Sequence, residues 1–171
     1  MNKQSQGGMF LLEALIAILI FSLGVLGMVA MGGTAIAAQS DAQNRSEAAN
    51  FANEIASKIA LNVDPSNPPA SIQASLQAFA HQPVPAGYCN FAGAPSASPI
   101  VLGWVSEVTG TVAGTLGLPG ATSINQSIAV DTSQATYSTV TVTICWKPPS
   151  TSATLAPWHR QVLVSYVPNQ T

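Results

Sequence analysis

An apolar run from Met9 to about Ala38 contains one formally charged residue, Glu13. The hydrocarbon core of a bilayer, ~30 Å thick, is crossed by ~20 apolar residues in a helix rising ~1.5 Å per residue. The run is long enough to span a membrane, and well beyond the apolar core of about 7–15 residues found in a secretory signal. An ionised acid at the centre of a spanning helix costs roughly 2.5–3.5 kcal/mol on insertion scales, and less near the interface, so acids in such segments tend to mark function. Glu13 therefore has two readings: an acid in the first turn that complements the helix dipole, or a group with a task.

The residues before the run are polar and end in glycine: Met1-Asn2-Lys3-Gln4-Ser5-Gln6-Gly7-Gly8. Met9 opens the run and Glu13 is its fifth residue. This arrangement resembles the class III leader of type IV prepilins. The resemblance implies that a prepilin peptidase, acting on the cytoplasmic side of the inner membrane, cuts after Gly8 and leaves Met9 as an N-methylated first residue. A cut after Gly7 would make the glutamate sixth and is disfavoured. The family usually has phenylalanine first; here Met9 takes that place, with Phe10 beside it. The resemblance also gives Glu13 its task, pairing with the new amine of a neighbouring subunit in an assembled filament. A charge removed from water is tolerable when so paired. Major pilins often carry a proline midway along this segment, and this chain has none there. Gly24, Gly27, Gly32 and Gly33 weaken the run by roughly 1 kcal/mol each relative to alanine in water, and in a membrane they permit close helix contact. Any helix melting on assembly would fall to these glycines.

At 171 residues the chain allows one globular domain beside the apolar helix. Hydrophobic residues make up 47% and charged residues only 7%, a balance that suggests an exported protein. A formal net charge of -2 with five Lys plus Arg, none of them clustered, argues against nucleic acid as a partner. Lys3 places the N-terminus in the cytoplasm by the positive-inside rule, so everything beyond Ala38 faces the periplasm. Cys89 and Cys145 both lie in that exported part. An even cysteine count in an oxidising compartment suggests a bridge rather than two separate buried thiols.

From Gln39 the pattern becomes amphipathic, with Ala48, Phe51, Ala52, Ile55 and Ile59 in a stripe at helical spacing. Asp41 with Arg45 and Glu54 with Lys58 are i,i+4 pairs of the favourable orientation. Asn62, Asp64 and Pro65 end the helix. A short helix after Pro68-Pro69 aligns Ile72, Leu76 and Phe79, and His81 to Pro99 reads as a loop. Ser98-Pro99 is a cap and first position for a further helix, with Trp104, Val108, Val112 and Leu116 four apart and Leu118-Pro119-Gly120 as its stop. The last third is β: Ile124, Ile128 and Val130 have strand spacing, and Val140, Val142, Ile144 and Trp146 alternate with Thr139, Thr141, Thr143 and Cys145. Lys147 to Pro157 connects to a third strand, about Trp158 to Val167, with Val162, Val164 and Tyr166 on one face. Consecutive strands usually pair, so an antiparallel meander is expected.

The expected class is α+β, a long N-terminal helix packed on a C-terminal antiparallel sheet. Residues 1–8 form the leader, 9–38 the transmembrane half of the helix, 39–63 its soluble half, and 64–171 a periplasmic part closed by the meander. This layout resembles a pilin, and the chain resembles in particular the minor pilins of the type IV pilus modification protein PilV family. The residues that carry this are Leu11 to Ala17, Gly24-Val25-Leu26-Gly27, Trp104 with Leu118-Pro119-Gly120, and Tyr137 through Trp146. The resemblance implies assembly into a pilus with other minor and major pilins and the inner-membrane assembly machinery. Its location would be a single-pass inner-membrane protein that enters the fimbrium, where it influences adhesion. A pseudopilin of type II secretion shares the same opening motif. A simple single-span anchor carrying a periplasmic binding domain is the reading from another class.

No enzymatic chemistry is expected. His81 and His159 with Cys89 follow no nucleophile pattern, the histidines are isolated and read as surface or capping residues, and no ligand spacing suits a metal. With neither a phosphate loop nor a dinucleotide fingerprint, no cofactor is expected.

Overall fold

A computed structural model describes residues 7–148 and 157–169, except for the side chains of residues 7–9 and 34. The expected connection from Lys147 to Pro157 lies largely outside the described residues. The chain divides into two units, Met1–Ala42 and Gln43–Thr171.

Among the described residues of the first unit the one element is the leading part of helix α1 (Gly7–Asn62). No described residue of this unit covers it: residues 10–33 and 35–39 are all exposed, Phe10 to 75% and Met28 to 78%. An apolar surface of this extent is far beyond what a water-soluble monomer leaves open. Among the described residues α1 is the one helix long and apolar enough to cross a membrane. The glycines at 24, 27, 32 and 33 do not interrupt it, and a Cβ at any of them would meet nothing within 4 Å.

The second unit is built on the last five turns of α1. Ala48, Ala52, Ile55 and Ile59 recur every three or four residues, which sets them on one face of a 3.6-residue helix, and that face is buried. Its outer side carries Lys58, bound to Glu54 one turn earlier and 3.9 Å from Glu107. The hydrogen bond to Glu54 holds the ammonium pKa above its ordinary value. Helix α2 (Pro69–Gln77) starts on a proline, whose missing N–H is one a helix start would leave unpaired in any case, and buries Ile72 and Leu76. Phe79, just beyond its end, is also buried.

The segment from His81 to Pro99 contains a β-hairpin, β1 (Val84–Gly87) with β2 (Asn90–Ala92), where a plain loop was expected. Helix α3 (Pro99–Val108) opens after Ser98, as expected, although the Ser98 side chain makes no capping hydrogen bond. Its end comes two turns sooner than the spacing of apolar residues predicts. Gly110 has φ +67°, its N–H donates to Glu107 O at 3.1 Å, and the Thr111 N–H donates to Ser106 O at 2.9 Å. These are the two bonds of a Schellman cap, which glycine makes at low cost because it lacks a Cβ. Val112 and Leu116 are consequently not core residues; Leu116 is 89% exposed. Gly117 comes back against Gly110, and the Leu118 N–H donates to Val108 O at 2.8 Å.

Strands β3 (Gln126–Asp131), β4 (Tyr137–Trp146) and β5 (His159–Pro168) form the expected antiparallel meander in the order β3-β4-β5. Ile124 is not part of it: it sits in a 3-10 turn, Ser123–Asn125, and is half exposed. Ile128, Val142 and Leu163 stand opposite one another across the three strands. This inner face, with Val140, Ile144 and Trp146, closes one core with the buried faces of α1, α2 and α3. Trp104 ties the helices together, its indole N–H donating to Phe51 O at 2.9 Å. On β5 the inward positions are His159, Gln161, Leu163, Ser165 and Val167, while Val162, Val164 and Tyr166 share the outer face and are exposed. At one end of that outer face the hairpin adds a second, smaller core of Cys89, Phe91 and Cys145, with Trp158 against it.

Candidate functional site

Gly8 and Met9 both have helical backbone, because α1 already begins at Gly7. Glu13 is therefore the seventh residue of the helix and lies in its second turn, and the first turn contains no acid. Stabilisation by the helix dipole falls off within the first turn, so the dipole alone is a poor account of this carboxylate. Glu13 stands four residues after Met9, which puts the two on one face, one turn apart. Around Glu13 the surface is apolar: Leu12, Ile16 and Ile20 line the same shallow groove.

Cys89 and Cys145 are joined by a disulfide with Cα atoms 5.8 Å apart, the ordinary separation for a bridge. Two consecutive amide side chains fix its surroundings. Asn125, 4% exposed, donates from Nδ2 to Cys89 O at 2.6 Å, while its Oδ1 accepts from the Thr122 N–H at 3.2 Å and from the Thr122 hydroxyl. Gln126, fully buried, donates from Nε2 to Cys145 O at 3.1 Å and accepts from the Cys145 N–H at 3.3 Å. The backbone of each half-cystine is thus held independently of the sulfur bond. Nothing in the periodicity of Ser123-Ile124-Asn125-Gln126 announces this; two polar side chains ahead of a strand ordinarily read as a solvated turn.

The histidines are not brought to Cys89 as a thiol site, since that cysteine is bridged. His81, expected as a surface or capping residue, is 2% exposed and so not at the surface. Its backbone exchanges both hydrogen bonds with Ile128, its Nδ1 accepts the Ser96 N–H at 3.2 Å, and its Nε2 lies 3.4 Å from Ser123 O. Acceptance at Nδ1 fixes the neutral tautomer with the proton on Nε2. Burial pushes the His81 pKa down, against a smaller upward pull from the Ser123 carbonyl. Among the described residues no group of three or more His, Cys, Asp or Glu side chains is arranged to hold a metal ion.

One feature of the second unit has no forerunner in the sequence reading. Where β4 ends and β5 begins, Arg45, Tyr88, Trp146, Pro157, Trp158, His159, Arg160 and Gln161 line a cleft of about 280 Å³. Trp146 is 1% exposed, and among the described residues its buried indole Nε1 has no hydrogen-bond partner. Its ring centroid is 5.5 Å from that of His159, whose Nδ1 lies 3.5 Å from Arg45 Nη2. The Arg160 guanidinium is 6.0 Å from the centroid of Tyr88, and Lys147 Nζ is 4.9 Å from that of Trp158.

No family model, curated protein or solved structure matches this chain.

Proposed function

We propose that this chain is a minor prepilin of a type IV pilus, similar to the type IV pilus modification protein PilV family, processed after Gly8 and N-methylated at Met9. The observation that carries the reading is the register of Gly8, Met9 and Glu13 at the head of α1, whose residues 10–33 and 35–39 are exposed and which among the described residues is the one helix long and apolar enough to cross a membrane. Cleavage creates an ammonium at Met9, four residues and so about 6 Å of helix rise before Glu13. Both charges then sit at the edge of a surface that must be covered by lipid or by neighbouring helices. Charges removed from water need partners, and stacking subunits so that the amine of one meets Glu13 of the next supplies them. The function is assembly: the apolar helix enters the filament from the inner membrane, and the periplasmic domain contacts other minor and major pilins. There it helps to prime the pilus and stays at or near its tip, with consequences for adhesion.

The test is the intact mass and N-terminal peptide mass of the protein taken from membranes of its own host, with and without the prepilin peptidase. Loss of Met1 to Gly8 with one methyl added to Met9, only when the peptidase is present, is the expected result. An intact leader in both strains would overturn the reading in favour of a simple single-span anchor, for which Glu13→Ala should also be silent. If processing occurs but the protein is absent from sheared pili and its deletion blocks exoprotein release, the filament is a type II secretion pseudopilus.

A further inference from the structure

The cleft at the junction of β4 and β5 is built from residue types that this chain otherwise uses sparingly. Four of its Lys and Arg residues lie in 43–171, namely Arg45, Lys58, Lys147 and Arg160. Lys58 is taken up by Glu54 and Glu107, while the other three line the cleft or flank Trp158 beside it. Among the described residues no acidic side chain lines it. Arg45 follows Asp41 by one helical turn in the sequence, so the positive character is credited to Arg160 and Lys147. The walls are aromatic, with Tyr88 65% exposed and Trp158 beside it. A guanidinium offers a planar fork that matches a carboxylate, and aromatic faces offer flat apolar plates with polar tips. A volume of about 280 Å³ is at the small end for ligand pockets and takes one ring-sized group rather than an extended chain. A polynucleotide would need cations spaced along a groove to follow successive phosphates. Here they are gathered at one point.

We infer that this cleft binds a single carboxylated sugar residue, its ring against Tyr88 and Trp158 and its carboxylate on Arg160. The inference does not rest on the pilin reading: the cleft lies wholly within the second unit and would serve any protein that displays this domain outside the cytoplasm. Pairing of an anion with Arg160 supplies the selectivity for acidic over neutral sugars, and the aromatic walls supply the selectivity for a ring over a simple carboxylic acid.

The experiment uses the full chain in detergent micelles, with methyl β-D-glucuronide as probe and methyl β-D-glucoside and acetate as comparisons, read by tryptophan emission and by the indole N–H signals of Trp158 and Trp146. The expected result is saturable binding of the glucuronide in the millimolar range, as suits a ligand of this size. The glucoside should bind about tenfold more weakly, the worth of one charge-assisted hydrogen bond. Arg160→Gln should bring the glucuronide down to the glucoside's affinity, and Tyr88→Ala should weaken both sugars. Both residues are exposed, so an unchanged urea midpoint is expected to show that these variants fold. The inference is overturned if glucuronide and glucoside bind alike, if acetate competes as well as the glucuronide, or if neither variant alters binding. It is overturned equally if a single-stranded oligothymidine occupies the cleft more tightly than the sugar, or if no saturable response appears.

Discussion

Removal of the Cys89–Cys145 bridge tests how much of the second unit's stability is chain entropy and how much is packing. The cysteines are 56 residues apart. In the chain-entropy treatment a loop of that length removes about 14 cal/mol/K from the unfolded ensemble, or about 4 kcal/mol at 25 °C. That is a large share of the 5–15 kcal/mol typical of a domain. Against this, Asn125 and Gln126 grip the backbones of both half-cystines, so the native geometry does not depend on the sulfur bond. The expected outcome for Cys89→Ala with Cys145→Ala is a chain that still folds but unfolds at far lower denaturant. With a urea slope near 2 kcal/mol/M the midpoint should fall by about 2 M. Trp104, Trp146 and Trp158 are the three tryptophans and all lie beyond residue 43, so their emission during a urea titration in micelles reports this unit alone. Coincident midpoints for the oxidised and double-variant chains would refute the entropic argument. A variant with no native far-UV circular dichroism even without urea would refute the claim that the amide side chains hold the site.

Three further outcomes are expected. Gly117→Ala should cost about 1–3 kcal/mol through overpacking, because its Cβ would collide with the Gly110 backbone N; Gly103→Ala, inside α3 with open space around it, should instead gain up to ~1 kcal/mol of helix propensity, both read as urea midpoints. Asn125→Asp keeps the size but removes the donor to Cys89 O, and should cost about 1–3 kcal/mol for the orphaned carbonyl and buried charge, with the disulfide intact by mass. The folded His81 pKa lies below its ordinary value, so as pH falls below about 6.5 the unfolded chain binds the proton first. Stability should then fall with falling pH through that window by at most about 1.4 kcal/mol per unit. His81→Gln should lower stability at neutral pH and flatten that slope, and an unchanged slope would refute the assignment.

The features read well from the sequence are those in which hydrophobicity and geometry share one period. The stripe of Ala48, Ala52, Ile55 and Ile59 and the alternation from Val140 to Trp146 leave little choice of buried face. On β5 periodicity names the shared face but not the side it turns to. Val162, Val164 and Tyr166 are more apolar than Gln161 and Ser165, yet they point outward, because antiparallel pairing with β4 sets Leu163 opposite Val142 and fixes the parity of every other side chain. The hairpin at Val84–Ala92 was hidden by Pro83, Pro85, Gly87 and Gly93, which punctuate a loop as readily as a short strand at a sheet margin. Val112 and Leu116 continue the apolar spacing of α3, whereas the chain's direction is decided at Gly110. At the amino end, the register of Gly8, Met9 and Glu13 is wholly a matter of sequence. The β4–β5 cleft, in contrast, assembles Arg45, Tyr88 and Arg160 from three distant stretches, and no local pattern foretells it.

The two glycines that meet beyond α3 also mark a place for protein engineering. Gly110 and Gly117, with the Val108–Leu118 hydrogen bond, pin the two ends of a loop whose six intervening residues, Thr111 to Leu116, are all exposed. Its anchorage lies outside the stretch it encloses. Lengthening a closed loop from six residues to about fourteen adds less than about 1 kcal/mol of closure entropy, and exposed tips with small and polar residues accept insertions best. A short epitope spliced between Ala113 and Gly114 would stand clear of the core of the second unit, giving antibodies a handle on that unit without disturbing its packing.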